Sequence, residues 1–403
     1  VRKGGNEIDK YYDTAINLGG PIIKDKLWWY ATYRQQSNSV AQPTFQGALA
    51  GKTFDTKLWN PIAKLTYQAN QNNKFIAYYQ WGQKLQPNRL PFGTYTYTSE
   101  EQTNKQNSGS WVYKGEWNST ISDKLYFETR YGEFGYYFPL SANGSAGYFW
   151  RDSGQEILEG THQQWQLDRQ RKQLTGAATY FLDTANMGTH TFKFGGEQLW
   201  EKSWEGYQER YGGNIEHVYA NGRSSSVTFA FPTATKVNSL DARDGLLSKG
   251  ALNVTAAFFT DTFNVGRLTV NVGARWDRYR NWLPEQEQLA GTNGPETIQA
   301  QTFAQTDVNT WNSFAPRVGL VYDFSGTGRS VLKANYGLFW HNPGANLSND
   351  ANPNQASKTA TYQWNDLNGD RRFQLGEQGS RTANALAGAV SLDPNLKQPY
   401  THE

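Results

Sequence analysis

Along most of this chain apolar and polar residues alternate with a period of two, in pairs of runs joined by very short polar turns. Leu268, Val270, Val272, Ala274 and Trp276 fall on one face of such a run, while Thr269, Asn271, Gly273, Arg275 and Asp277 fall on the other. The run Leu252 to Val265 precedes it across the tight turn Asn264-Val265-Gly266-Arg267, and the two predict a β-hairpin. The unit recurs: residues 10–22 with 27–38, 63–69 with 75–81, 111–121 with 125–138, 163–182 with 190–205, and 316–323 with 332–340. Counted against the alternation template, this makes about six hairpins and roughly twelve strands of about 10 to 14 residues each.

The connections between hairpins are long, polar and rich in Gly, Asn, Ser and Thr: residues 39–58, 87–107, 139–162, 206–250, 283–310 and 342–400. Short and long connections alternate strictly, which a soluble sandwich has no reason to do. The pattern predicts an all-β fold, one partial antiparallel transmembrane β-barrel domain over 1–403, with short turns at one rim and long extracellular loops at the other. Strands of that length cross a bilayer when tilted, whereas a globular sheet averages about 5 or 6 residues per strand.

Composition sharpens this picture. The chain has 403 residues, a hydrophobic content of 37% and a net charge of +3, with 15 Trp, 24 Tyr and 21 Phe. The rings and the small charge exclude disorder, and no run approaches the roughly 18 apolar residues of a membrane helix. Leu27-Trp28-Trp29-Tyr30 follows a short turn, while Trp81, Trp200, Trp204, Trp276, Trp282 and Trp340 lie near long loops, as two interfacial girdles require. Rings stacked on sugars in a secreted carbohydrate-binding or carbohydrate-active β protein are the rival reading, and a plain porin is another. Cys is absent, the five His are scattered, and no basic run suggests nucleic acid. Nothing assembles into a catalytic constellation, so the chain reads as no enzyme.

Two groups of polar residues bear on function. Arg34, Lys64, Lys114, Glu116, Glu128, Arg130, Arg275, Asp277 and Arg317 alternate with apolar neighbours inside strands. Charge in mid-strand is costly against lipid, so these side chains are expected to face the lumen. The loop from Asp366 to Glu377 carries oxygen donors at the first, third, fifth and twelfth places (Asp366, Asn368, Asp370, Glu377), the order of a calcium cage. Its sixth place is Arg371 rather than the glycine of such a loop. A solvated turn rich in Asp and Asn is the simpler reading.

The segment Asn17-Leu18-Gly19-Gly20-Pro21-Ile22-Ile23-Lys24-Asp25-Lys26-Leu27-Trp28-Trp29-Tyr30 resembles the first barrel hairpin of Oar-like TonB-dependent outer-membrane receptors. Gly19 and Gly20 would permit a bend and Pro21 would end strand pairing. Trp364 to Glu377, with Asp393-Pro394-Asn395-Leu396-Lys397-Gln398-Pro399-Tyr400, is similar to a long external loop of the same family. The resemblance implies energy-coupled uptake of a scarce nutrient through a 22-strand barrel in the bacterial outer membrane. It also implies as partners the membrane lipid, the protein's own plug domain, the TonB complex and an unidentified ligand. Twelve strands cannot close such a barrel, and a chain opening on Val1-Arg2-Lys3 is expected to be a piece of a longer protein.

Overall fold

A computed structural model of the chain describes residues 7–42, 45, 47–90, 100–145, 148–185, 188–237, 245–387 and 392–403. The opening Val1-Arg2-Lys3 and parts of the predicted loops 39–58, 87–107, 139–162, 206–250 and 342–400 lie outside the described residues.

Thirteen strands form one antiparallel sheet in chain order. They are β1 (Ile8–Ile23), β2 (Leu27–Ala41), β3 (Thr53–Asn70), β4 (Asn73–Arg89), β5 (Asn104–Ser122), β6 (Leu125–Ala142), β7 (Trp165–Thr184), β8 (Gly188–Tyr207), β9 (Ser248–Val265), β10 (Leu268–Leu283), β11 (Thr306–Asp323), β12 (Val331–Trp340) and the short β13 (Tyr400–His402). All six predicted hairpins are present, each with its short turn at the same rim. The strands are longer than expected, most of them 15 to 20 residues, because pairing continues past the apolar stretch into what alternation alone assigned to loops. Thr53 to Leu58, for example, is strand and not loop. Hydrogen bonding between neighbours does not need apolar side chains, so the hydrophobic pattern marks the lipid-level part of each strand and misses its polar extension.

Register sorts the side chains onto two faces. Leu65 is opposite Trp29 and Ala77, Phe75 is opposite Tyr67 and Trp117, Ala257 is opposite Trp276, and Trp276 is opposite Phe314. Large apolar residues on this face stay exposed, among them Leu18, Leu65, Phe194, Phe259, Val272 and Val318. An exposed apolar face of this extent suits only lipid. Trp111 lies on the same face, flat over Gly135, where an added Cβ would come within 2.2 Å of the indole; the glycine is there because the ring takes its side-chain space.

Two details differ from the sequence reading. Gly19 and Gly20 lie within β1 and make no bend, and Pro21 pairs with Trp28 while the irregularity falls between Pro21 and Ile23. Proline is tolerated there because β1 is the edge of the described sheet. The charged turn that follows is tight as predicted, with Asp25 in the left-handed region at φ 58°.

The long loops are not structureless. Pieces of three of them build a second, six-stranded sheet: 378–384, 358–364, 223–231, 215–220, 149–152 and 157–159, in that spatial order. One pair is parallel, with Glu216 opposite Phe149 and Tyr219 opposite Asp152. Its buried cluster contains Trp150, Tyr219, Val227, Phe229 and Trp364. Among the described residues this loop layer, and not the main sheet, holds the largest aromatic core.

Candidate functional site

The polar face of the main sheet is the first part of the site. Arg34, Lys64, Lys114, Glu116, Glu128, Arg130, Arg275, Asp277 and Arg317 all fall on it by register, opposite the lipid face, as expected of lumen-lining residues. Most are joined in ion pairs that step from strand to strand. Glu116 meets Lys114 at 2.5 Å and Arg130 at 3.5 Å, and Glu128 meets Arg130 at 2.9 Å and Lys193 at 2.6 Å. Further along, Arg275 bridges Glu197 at 2.9 Å and Asp277 at 2.8 Å, and Arg171 meets Glu201 at 2.5 Å. Arg34 pairs with Asp13. This wall is polar yet largely neutralised within itself, so it presents hydrogen-bonding groups without a strong single-sign field.

A strap from the last long loop folds onto the loop-side end of that face. Its one helical turn among the described residues, α1 (Asn346–Asp350), packs on β9 and β10. The Ala345 main-chain N–H donates to Glu201 Oε1 at 3.1 Å, Asn281 Nδ2 donates to the Gly344 carbonyl at 2.8 Å, and Asn349 Nδ2 donates to the Ser203 hydroxyl at 2.9 Å. Asn352 and Gln286 bond to each other at 2.9 Å, and Asn354 Nδ2 reaches the Leu247 and Glu287 carbonyls. Ala345 closes a small apolar cluster with Leu199, Leu252, Val254 and Tyr279. Short asparagine side chains suit this position, since the Asn352 and Asn354 amides donate to the main-chain carbonyls of Leu247, Lys249 and Glu287, while the side-chain oxygens of Asn349 and Asn354 stay buried without a hydrogen-bond partner among the described residues. The sequence reading left this stretch as loop; its hint was the recurrence of Asn at 342, 346, 349, 352 and 354.

The loop layer is the second part. Asn221-Gly222 turns the hairpin between 215–220 and 223–231, both residues at positive φ (52° and 76°), the geometry of the strongest short hairpin signal. Sequence reasoning passed over it inside the predicted loop 206–250. Asp152 clamps the turn, its carboxylate accepting from the main-chain N–H groups of Gly154, Gln155, Asn221 and Gly222 at 2.5 to 3.0 Å. Burial alone would raise its pKa, but these four donors outweigh it and hold the carboxyl below its ordinary value.

The four oxygen-donor residues at 366–377 lie together in one turn beside this layer. Asp366 accepts from the main-chain N–H groups of Gly369 and Arg371 at 2.9 and 3.0 Å and from the Tyr219 hydroxyl at 2.5 Å. Asn368 Oδ1 accepts from the Asp370 N–H, and Asp370 Oδ1 from the Arg372 N–H. Glu377 accepts from Trp364 Nε1 at 3.1 Å and from the N–H groups of Leu367 and Gln374. Arg371 takes the left-handed conformation at φ 62°, the one that glycine gives at the sixth place of a calcium loop. In this arrangement the oxygens serve the turn, and among the described residues no three acidic or His side chains gather as a metal-ligand group. Arg371 and Arg372 stack on Trp150 and Tyr148 at 4.6 and 4.7 Å from the ring centres.

His217 latches the turn to the layer. Phe373 N–H donates to His217 Nε2 at 3.0 Å, so that nitrogen is an acceptor and the proton sits on Nδ1, 3.0 Å from the Phe149 carbonyl. Burial holds the His217 pKa below its ordinary value, and burial pushes His162 down to about 3. Both groups therefore stabilise the layer while neutral, an effect present above the unfolded value near 6.5 and lost as pH falls below it. Limited proteolysis at 366–377 is expected to accelerate as pH drops from 7 to 5, and His217→Gln, which cannot acquire charge, is expected to flatten that profile. A rate independent of pH in the unaltered protein would remove His217 as the latch.

A family model described as an outer membrane beta barrel domain matches residues 40–403. Among solved structures, the chain is similar to the outer membrane transporter YddB from Escherichia coli, with a TM-score of 0.59 and 10% identity, covering 89% of this chain and 44% of that one. It is similar to the ferric-catecholate import receptor Fiu from E. coli, with a TM-score of 0.52, 12% identity, and 89% and 54% covered. It is also similar to the siderophore receptor PirA from Acinetobacter baumannii, with a TM-score of 0.53, 10% identity, and 90% and 48% covered. The chain thus spans about half the length of these structures, and at such identity the likeness is one of fold. No match was found among curated proteins.

Proposed function

The chain belongs to the outer membrane beta-barrel domain family, which places it in the bacterial outer membrane, and from that premise we propose that it forms part of the wall and mouth of an energy-coupled importer of a scarce nutrient. The observation that carries the reading is the strap at 344–354, seated on the polar face by Glu201, Asn281 and Gln286 beneath an ordered loop layer. A strap packed against the wall narrows the lumen, and the likeness in fold to a transporter, a ferric-catecholate import receptor and a siderophore receptor favours a selective receptor over an open pore. The Oar-like subtype, the plug domain and the TonB complex belong to this proposal; the end motifs, Asn17 to Tyr30 and Trp364 to Glu377 with Asp393 to Tyr400, support them. Among the described residues no cluster on either face suggests chemistry on the ligand, and the reading is transport.

Cells expressing and lacking the protein decide the matter. Uptake of the nutrient on whose scarcity growth comes to depend on the protein should stop when a protonophore collapses the inner-membrane gradient. Uptake that continues, together with steady conductance in planar bilayers, would make it a plain porin. A secreted carbohydrate-binding protein has no place for the exposed apolar face of the main sheet.

A hard-cation site at Asp366, Asn368, Asp370 and Glu377 is a proposal with its own measurement. Its support is the order of the donors and the conformation of Arg371. Calcium would have to displace the main-chain N–H groups now held by Asp366 and Glu377. Because those bonds must give way first, binding is weak, and calorimetry on the extracted protein is expected to show heat at roughly millimolar rather than micromolar calcium. A heat that Asp370→Ala abolishes would establish the site.

A further inference from the structure

The lipid face ends in a feature that barrel formation does not require. On the loop side of Leu174, Trp200, Trp276 and Phe314, this face becomes basic across four neighbouring strands. Lys172 on β7 is opposite Trp200, Lys202 on β8 is opposite Ala251, Lys249 on β9 is opposite Trp204, and Arg278 and Arg280 on β10 are opposite Thr255 and Asn253. Direct partners share a face, so all five cations point outward, on the same side as Trp200 and Trp276.

The cations are packed on rings. Lys202 Nζ and Lys249 Nζ stand over the same Trp204 indole, at 5.2 and 5.4 Å from its centre, and the Arg280 guanidinium stands over Trp282 at 5.3 Å. Among the described residues, three carboxylates lie on this face nearby: Glu133 meets Lys172 at 3.7 Å, Asp307 meets Arg280 at 2.5 Å, and the buried Asp168 is opposite Trp204. Among the described residues, Lys249 and Arg278 form no ion pair.

We propose that this outward patch binds the phosphate groups of anionic lipids in the leaflet that faces the cell exterior. Three observations select that occupant. The patch begins where the apolar band stops, at the height of head groups. It is continuous with that band, so a lipid seated on it keeps its acyl chains on apolar surface, and its charge complements phosphate. Arg offers phosphate a planar pair of donors and Lys a compact charge, and both occur here. A basic residue at a membrane surface is worth about a fivefold change in affinity for anionic lipid.

The test uses the protein extracted from outer membranes in neutral detergent, with diphosphorylated lipid A as probe and native mass spectrometry as readout. Retention of lipid A is expected to exceed that of phosphatidylcholine. The double substitution Lys249→Glu with Arg278→Glu should weaken retention at least tenfold, and Lys249→Gln with Arg278→Gln by a smaller factor. Arg329→Glu, in the short turn at the opposite rim, should leave retention unchanged. Heat-modifiable migration of each variant checks that the barrel has formed, and the neutral pair keeps the question open to a result should the charge reversal fail to fold. Equal retention of lipid A by the unaltered protein and both double variants would overturn the proposal. So would equal retention of phosphatidylcholine, or displacement of lipid A by millimolar inorganic phosphate, which would mark a site for free anions.

Discussion

Replacing Trp364 with Ala is expected to unfold the loop layer while leaving the main sheet in place. The indole is 1% exposed and sits in the aromatic cluster, with edge-to-face contacts to Tyr219 at 5.3 Å and His217 at 5.2 Å. Its Nε1–H also holds Glu377, which caps the turn at 366–377 through two main-chain N–H groups. Truncation removes a buried ring and leaves a cavity, at a cost of about 3 to 5 kcal/mol. The layer is assembled from pieces of three loops around this one aromatic cluster, so the loss falls on the contacts that join them. Near-ultraviolet circular dichroism of the extracted protein should lose aromatic signal, and protease should cut within 215–231 and 358–384, while heat-modifiable migration persists. Cuts at the rate of the unaltered protein would show that the cluster does not hold the layer.

Val272→Arg should destabilise the barrel by about 2 to 4 kcal/mol, since a cation near the bilayer midplane on the lipid face carries that cost. Val272 lies in the middle of the apolar stretch of β10, opposite Asp261 and Val318, and is 42% exposed on the outer face. The same substitution one residue earlier, Asn271→Arg, places the charge on the polar face and should cost less than about 1 kcal/mol, because lumen substitutions are solvated. Urea titration of protein folded into vesicles measures both. Equal costs at the two positions would mean that the faces are assigned the wrong way round.

The same alternation of faces explains how much could be read early. Val272 and Asn271 could be set on opposite faces from the sequence because a strand has a side-chain period of two and each turn is made by residues next to it in the chain. Asn264 to Arg267 and Lys24 to Lys26 specify their hairpins by local chemistry. The direction of Arg34, Lys64, Lys114, Glu116, Glu128, Arg130, Arg275, Asp277 and Arg317 followed from the cost of charge against lipid. Their partners did not. Lys193 reaches Glu128 across two strand boundaries, and no periodicity marks such a pair.

The loop layer shows where reading along the chain stops. The 149–152 segment pairs with 215–220, and 223–231 pairs with 358–364, so the pieces that come from different loops find their neighbours far away in sequence. Short pieces such as Phe149–Asp152 have too few residues for alternation to be distinguished from chance. The same holds for the candidate cation residues: spacing placed Asp366, Asn368, Asp370 and Glu377 in one turn, but the main-chain N–H groups that occupy them are a matter of backbone conformation. By itself, then, the sequence determined the hairpins, the two faces of the sheet and the membrane setting, because those depend on residues one or two positions apart. The tertiary structure alone decided the loop layer, the strap on the inner face and the basic patch above the lipid band, because each joins residues that only the folded sheet and its loops bring together.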